Sequence, residues 1–344
     1  MNYPKIKGKR IVVTGGAGFI GSNLCHSLVD DNEVVCMDNL ATGHFYNIDS
    51  LTTHKHFHWV EGDIRDFNLC KRVLDGADVV LHQAALGSVP RSINDPLASH
   101  DVNVNGFLNV ITAARDTGVK RVVYASSSSV YGDSADLPKV EEKTGKALSP
   151  YAVTKCVNEL YAQVYRLNYG LPIIGLRYFN VFGRRQDPNG VYAAAIPKFT
   201  MQLLRNESPV INGDGSHSRD FTYIENIIQL NHLAAGTANE AALGEVFNGA
   251  TGDRFDLNQL LAMLKENLAV YQPSVRDVKV VHGPNRAGDI PHSLASIEKA
   301  KALLGYAPAY GLKEGLKEAV KWYYHHLKWS NYFLHGCGAC LYWQ

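Results

Sequence analysis

Cysteine is scarce in this chain of 344 residues: there are six, at positions 25, 36, 70, 156, 337 and 340. That density excludes a disulfide-stapled fold and leaves stability to hydrophobic burial. Net charge is also missing. The 34 Lys and Arg are balanced by 33 Asp and Glu, for a formal charge of +1. Such a balance supplies no field for holding nucleic acid or an anionic membrane surface. No run of about 18 apolar residues occurs, so no membrane-spanning helix is expected. Met1-Asn2-Tyr3-Pro4-Lys5 leads within ten residues into a strand-like segment, so no signal peptide is expected and the predicted location is cytoplasmic. Repeats, low-complexity tracts and long charge runs are absent. Cys337-Gly-Ala-Cys340 lacks the two further ligands that a zinc site needs, so it reads as a reduced, frayed tail, and no metal is expected. What remains is an ordinary globular composition, 46% hydrophobic and 19% charged, which excludes a disordered chain.

The first half alternates. Strand-like runs at Arg10–Thr14, Glu33–Met37, His56–Val60, Asp78–His82, Lys120–Ser126 and Ile173–Tyr178 are continuous Val/Ile/Leu-rich stretches. Strands buried on both faces look like this, so the pattern predicts a parallel sheet covered by helices. Helical patterns fall between them at Phe19–Asp30, Asn68–Leu74, Asn105–Thr117 and Pro150–Tyr169. Right-handed crossovers then give an α/β fold with a doubly wound, Rossmann-type sheet. After about Asn180 the rhythm breaks into short elements punctuated by Gly, Pro and Asn, with helical stretches at Pro197–Arg205, Glu225–Ala235, Leu257–Leu268, Ser296–Leu304 and Gly311–His326. The expected organisation is a dinucleotide-binding domain over 1–180 and a smaller substrate lobe over 181–344, interleaved with the first.

Thr14-Gly15-Gly16-Ala17-Gly18-Phe19-Ile20-Gly21 sits between the first strand and the first helix. Gly15 serves the tight turn, Gly18 admits a pyrophosphate to bare backbone, and Gly21 lets helix pack on strand. The helix N-terminus then offers unpaired N–H groups to phosphates. Asp38 closes the second strand about twenty residues on, where a carboxylate accepts hydrogen bonds from ribose hydroxyls and repels a 2′-phosphate. The predicted cofactor is NAD. Downstream, Tyr151-Ala-Val-Thr-Lys155 puts a phenol and an ammonium on one helix face, and Ser126 to Ser129 end the fifth strand, where ligands of such sheets bind. For Tyr151 to act as a base near neutrality its pKa must fall by about 3 units, about 4 kcal/mol. Lys155 and the nicotinamide charge are the expected sources.

The glycine spacing, with the Tyr-x-x-x-Lys pair, resembles the extended short-chain dehydrogenase/reductases. The resemblance implies that Phe19, Ile20, Asn39 and Gly43 line the cofactor and that Asp63-Ile64 contact its adenine. It likewise implies that Gln83-Ala84-Ala85 wall it and that Asn103 shapes the active-site helix. Lys155 would hold the nicotinamide ribose. Aligned on Val130-Tyr131-Gly132, the catalytic serine is Ser127, with Ser128 facing the sugar. Sugar-nucleotide 4,6-dehydratases of this superfamily carry Asp-Glu where this chain has Ser128-Ser129, so the segment resembles nucleotide-sugar 4-epimerases instead. Leu176-Arg177-Tyr178-Phe179-Asn180 resembles their signature, with Tyr178 and Phe179 at the nicotinamide and Asn180 on the substrate diphosphate. Asn212-Gly213-Asp214-Gly215 and Ser218-Arg219-Asp220 resemble their uridine and phosphate segment, and Arg286-Ala-Gly-Asp289 the segment supplying a second arginine and a ribose carboxylate. In epimerases restricted to UDP-glucose and UDP-galactose a Tyr stands where this register places Ser293. Phe182-Gly-Arg-Arg-Gln186 through Ala195 resembles bacterial epimerases of N-acetylated sugars. Gly87, Ser128, Asn180, Gln186, Ala194 and Ser293 would then wall the hexose. The expected activity is interconversion of UDP-N-acetylglucosamine and UDP-N-acetylgalactosamine by a homodimer paired through the helices at Asn105–Thr117 and Pro150–Tyr169. The alternatives are a UDP-glucose 4-epimerase, a 4-epimerase of UDP-hexuronic acids with Arg184 or Arg185 meeting the C6 carboxylate, and a non-catalytic NAD-sensing protein. The uronic reading is set against the N-acetyl one by assaying both substrate pairs.

Overall fold

The computed structural model describes residues 3–189, 194–284 and 291–335, with backbone alone over 327–335. In chain order the first half runs β1 (Arg10–Thr14), α1 (Phe19–Leu28), β2 (Glu33–Asp38), β3 (Phe57–Glu61), α2 (Phe67–Leu74), β4 (Val79–His82), α3 (Val89–Asn94), α4 (Pro96–His100), α5 (Phe107–Asp116), β5 (Arg121–Ser127), α6 (Pro150–Tyr169) and β6 (Ile173–Tyr178). The second half adds β7 (Val181–Phe182), α7 (Ala195–Leu204), β8 (Val210–Asn212), β9 (Ser218–Arg219), β10 (Thr222–Tyr223), α8 (Ile224–Gly236), β11 (Val246–Gly249), β12 (Phe255–Asp256), α9 (Leu257–Leu268), β13 (Val281–Gly283), α10 (Glu298–Leu304) and α11 (Leu312–His335).

Seven parallel strands form one sheet in the order β11-β6-β5-β4-β1-β2-β3. The order reverses between β1 and β4, and that crevice at the strands' carboxyl ends is where such sheets take ligands. Alternate residues of each strand point to opposite faces. Ile11 and Val13 enter the core shared with α1 and α8, whereas Val12 enters the core shared with α2, α5 and α6. Both faces are therefore covered, which is why these strands read as unbroken apolar runs.

The structure departs from the periodicity at three places. The helix expected from Asn105 begins instead as a π turn over Asp101–Gly106, with α5 following it. Two short helices precede it, α3 capped by Ser88 and α4 capped by Asp95, each with a proline in its first turn. Strand β11 comes from the second half yet pairs with β6, Val246 opposite Gly175. By contrast, α6 occupies the range its sequence predicts. Ser149 accepts from the Ala152 N–H at its start, Pro150 fits the first turn, and Gly170 ends it at φ +66°. Of the cysteines, Cys25, Cys36 and Cys70 are buried free thiols and Cys156 is half-buried; Cys337 and Cys340 lie outside the described residues. Among the described residues no helix is long and apolar enough to cross a membrane, and no group of His, Cys, Asp and Glu is arranged to hold a metal ion.

Candidate active site

A cavity of about 840 Å³ opens along the carboxyl ends of the strands. Ser127, Tyr151 and Lys155 all face it. Strand β5 and helix α6 bring them together: Ser127 ends the strand, and Tyr151 and Lys155 are one turn apart on the helix. Ser127 hydrogen-bonds Tyr151 through their side chains, and its Oγ also accepts the Ser129 N–H at 3.1 Å. Ser92 of α3 fixes the start of α6, its Oγ accepting the Tyr151 N–H at 3.0 Å. The Lys155 ammonium donates to the Ala125 carbonyl at 2.7 Å and lies 5.9 Å from the centre of the Tyr151 ring. Burial pushes the Tyr151 phenol above its usual 10, and the Ser127 hydrogen bond is the influence opposing it. The Lys155 ammonium is directed at the Ala125 carbonyl, and burial drives its pKa down to about 8.

The dinucleotide cradle is built from backbone. Gly15 sits at φ +68°, and a Cβ there would lie 2.6 Å from the Ala84 N. At Gly21 a Cβ would lie 2.1 Å from the Gly15 carbonyl oxygen. Gly18 caps α1 without any side-chain hydrogen bond, so the helix N–H groups stay available to an anion. The Asp38 carboxylate is buried and accepts the N–H of Ala17 at 3.0 Å and of Leu40 at 2.8 Å. A fixed negative group there leaves no place for a 2′-phosphate. The residues present fit NAD. Gly15, Gly18, Phe19, Ile20, Gly21, Asp38, Asn39, Asp63, Ile64, Gln83, Ala84, Ala85 and Tyr178 line the cavity. Three others expected at the cofactor stand behind that wall. Gly43 packs on Asp38. Asn103 is buried and ties the Leu86 backbone to the Thr154 hydroxyl. Phe179 is fully buried, its N–H given to the Gly249 carbonyl at 3.0 Å.

Of the residues expected at the sugar, Gly87, Asn180, Gln186 and Ala194 line the same cavity. A Cβ at Gly87 would meet nothing within 4 Å, so that wall is open. Asn180 is the junction: it adopts φ +33°, donates to the Asp220 carbonyl at 3.0 Å, and lines a second cavity of about 330 Å³. Asn212 and Arg219 line that second cavity. Ser128 and Ser293 line neither; the Ser293 N–H donates to the Ser218 carbonyl at 2.9 Å. Arg286 and Asp289 lie outside the described residues. Arg184 is paired with Glu225, and Arg185 reaches Asn23, so neither faces the catalytic cavity.

The family model described as NAD dependent epimerase/dehydratase matches residues 11–250. The chain belongs to that family. Its relatives include the UDP-glucose 4-epimerase of Mycolicibacterium smegmatis, 35% identical over 91% of this chain and 98% of that protein. Among solved structures, a UDP-N-acetylglucosamine 4-epimerase from Methanobrevibacter ruminantium M1, in complex with UDP-N-acetylmuramic acid, superposes with a TM-score of 0.87 at 39% identity. It covers 93% of this chain and 99% of its own. The UDP-glucuronic acid 4-epimerase of Bacillus cereus, in complex with UDP-glucuronic acid and NAD, gives 0.82 at 30% identity over 92% and 99%. The chain is thus an NAD-dependent enzyme, and its relatives include several nucleotide-sugar 4-epimerases. Sequence reasoning missed several groups at the site. Arg91 is on the cavity wall, His44 and Asp187 pair across it at 3.2 Å, and Lys198 lines the second cavity. The signal for Arg91 was Ser88 with Pro90, a helix start overlooked.

Proposed function

We propose that this enzyme interconverts UDP-N-acetylglucosamine and UDP-N-acetylgalactosamine by inverting C4 through a transient 4-keto sugar. The observation that carries the reading is the open wall at Gly87, on the same cavity as the Ser127–Tyr151–Lys155 cluster, with a small residue at Ala194. A pocket built this way has room for an acetamido group at C2. NAD, when bound, accepts the C4 hydrogen as hydride and gives it back. Tyr151 takes the 4-hydroxyl proton and Ser127 assists its transfer, while Lys155 holds the ribose and keeps positive charge beside the phenol. Asn180, Arg219 and Arg286 anchor the diphosphate, Asn212 the uridine, and Asp289 the ribose. A firm anchor and a loosely held hexose let the keto sugar present either face. The carboxylates on the cavity wall support epimerisation over dehydration: Asp38 and Asp63 lie at the cofactor end and Asp187 is engaged by His44.

A second reading, on UDP-hexuronic acids, needs a cation at C6. Arg184 and Arg185 are turned elsewhere, and Arg91 is the cation that favours it. One assay separates the readings. Purified protein is given UDP-N-acetylglucosamine, UDP-glucose and UDP-glucuronic acid in parallel, without added NAD, and the products are resolved. Turnover dominated by the N-acetylated pair is expected; faster turnover of either other pair overturns the proposal. The outer face of α6 exposes Val153, Leu160, Val164 and Leu167, a stripe at helical spacing. It supports pairing of two copies through α5 and α6. Sedimentation at micromolar concentration tests this, and a monomer overturns it.

A further inference from the structure

The end of β5 and one face of α6 interlock over three consecutive residues. The Ala125 carbonyl holds Lys155, Ser127 holds Tyr151, and the Ser126 hydroxyl between them donates to the Glu159 carboxylate at 2.5 Å. Tyr151, Lys155 and Glu159 are successive turns of one helix face. Glu159 is buried, and Arg177 of β6 grips both of its oxygens, Nε to Oε1 at 2.9 Å and Nη2 to Oε2 at 2.7 Å. Arg177 is held in turn by the Glu141 carbonyl at 2.9 Å and lies over the Tyr131 ring. Tyr131 donates to Asn248, whose N–H reaches the Glu141 carboxylate. Glu159, Arg177, Glu141, Tyr131 and Asn248 are not on the cavity wall, whereas Ser126 is. A buried ion pair is weak evidence for stability by itself, because desolvation consumes most of the attraction. Its position one turn from the catalytic ammonium gives it another use.

We propose that Glu159 is a positioning residue for the reaction: clamped by Arg177 and Ser126, its carboxylate keeps the Lys155 ammonium charged and directed along the β5 end. The inference rests on the catalytic reading of Tyr151 and Lys155. Burial works against the charge on Lys155, and Glu159 is the influence that opposes it. The other titratable groups around Lys155 do not. His82 of β4 is pushed down to about 3 by burial and by Lys155 itself, so it is neutral. Tyr124 of β5 and Tyr178 of β6 are pushed up by burial and stay neutral. Cys156 is pushed up as well. Arg177 is a cation and would, without Glu159, repel Lys155.

The test is the pH profile of kcat, measured on the NAD-loaded enzyme. Lys155→Met should remove turnover. If it does not, the catalytic reading fails, and this inference with it. Glu159→Gln keeps the shape of the side chain and removes its charge. Its alkaline limb should fall by about one pH unit, the scale of a close charge partner, with NAD still bound. Glu159→Asp should return the limb to the wild-type pH, even where turnover is lower. A purely structural role would lower kcat alike at every pH and move no limb. Should Glu159→Gln not fold, the double variant Glu159→Gln with Arg177→Gln removes both buried charges together. Its limb should fall in the same direction, since the carboxylate is the member one turn from Lys155. A wild-type limb in whichever variant folds overturns the proposal.

Discussion

The two halves of the molecule build their cavity walls by different means. In the first half the wall is largely backbone. Glycines 15, 18 and 21 bring main chain against main chain, and the strand ends and the bare terminus of α1 face the crevice. The second half presents side chains on very short ribbons. Arg219 lies on the two-residue strand β9, and Asn212 ends the three-residue strand β8, paired with β13. Backbone cradles suit a cofactor that stays, because every atom of the wall is fixed by the sheet. Side chains on short strands suit a substrate that must be released and whose hexose must turn. Asn180, with its uncommon positive φ, stands at the boundary and lines both cavities.

The largest effect should come from the chemistry itself. Tyr151→Phe leaves the ring packed and removes the proton acceptor, so kcat should drop by about 10²–10⁴-fold while copurified NAD is retained. Substantial residual turnover would remove Tyr151 from its role. Next, Gly15→Ala attacks the backbone cradle. The new Cβ meets the Ala84 backbone at a positive φ, a strain of about 1–3 kcal/mol. Loss of bound NAD and a lower Tm are expected, and a variant that keeps its cofactor breaks the contrast between the halves. A smaller and selective effect is expected on the side-chain half. Ala194→Tyr, on the cavity wall, should slow the N-acetylated pair at least about tenfold, about 1.4 kcal/mol, and affect UDP-glucose less; unchanged N-acetyl turnover refutes the roomy wall.

That same contrast explains what the sequence made legible. Strands β1 and β6 and helices α6 and α9 match their periodicity end for end, because local burial pattern and caps set them. The cofactor residues around Gly15 and Asp38 were legible for the same reason, as loop, strand and helix are contiguous in the chain. Strand β11 was not, since Val246–Gly249 becomes a strand only through pairing with the distant β6. Glu159 and Arg177 were likewise hidden: each reads as an ordinary helix or strand charge until the fold joins them. The surroundings of Tyr151 were legible only in part. Spacing located its lysine, but burial and the Ala125 carbonyl decide what that lysine's charge can do.

The last expected effect is thermodynamic, and it compares one carboxylate from each half. Asp63 in the cofactor half is held down to about 2, first by its hydrogen bonds with Arg65. Asp220 in the substrate half is pushed up to about 6 by burial, although Thr251, Gly252 and Ala295 donate to it. Their linkages have opposite signs. Asp63 contributes stability above its unfolded pKa near 4 that is lost as pH falls toward 2. The folded state binds the Asp220 proton more tightly than the unfolded chain does. Its contribution is therefore complete below pH 4 and declines as pH rises through 6, by an amount on the order of 1–3 kcal/mol. Asp220→Asn removes that titration, so the variant's Tm should change less than the wild type's between pH 4 and pH 6.5. Because Asp220 ties the segment after Arg219 to Thr251 and to Ala295, the variant should also weaken substrate binding and leave NAD content unchanged. Parallel Tm-against-pH curves for the two proteins would show that this carboxylate is ionised as readily in the folded lobe as in the open chain.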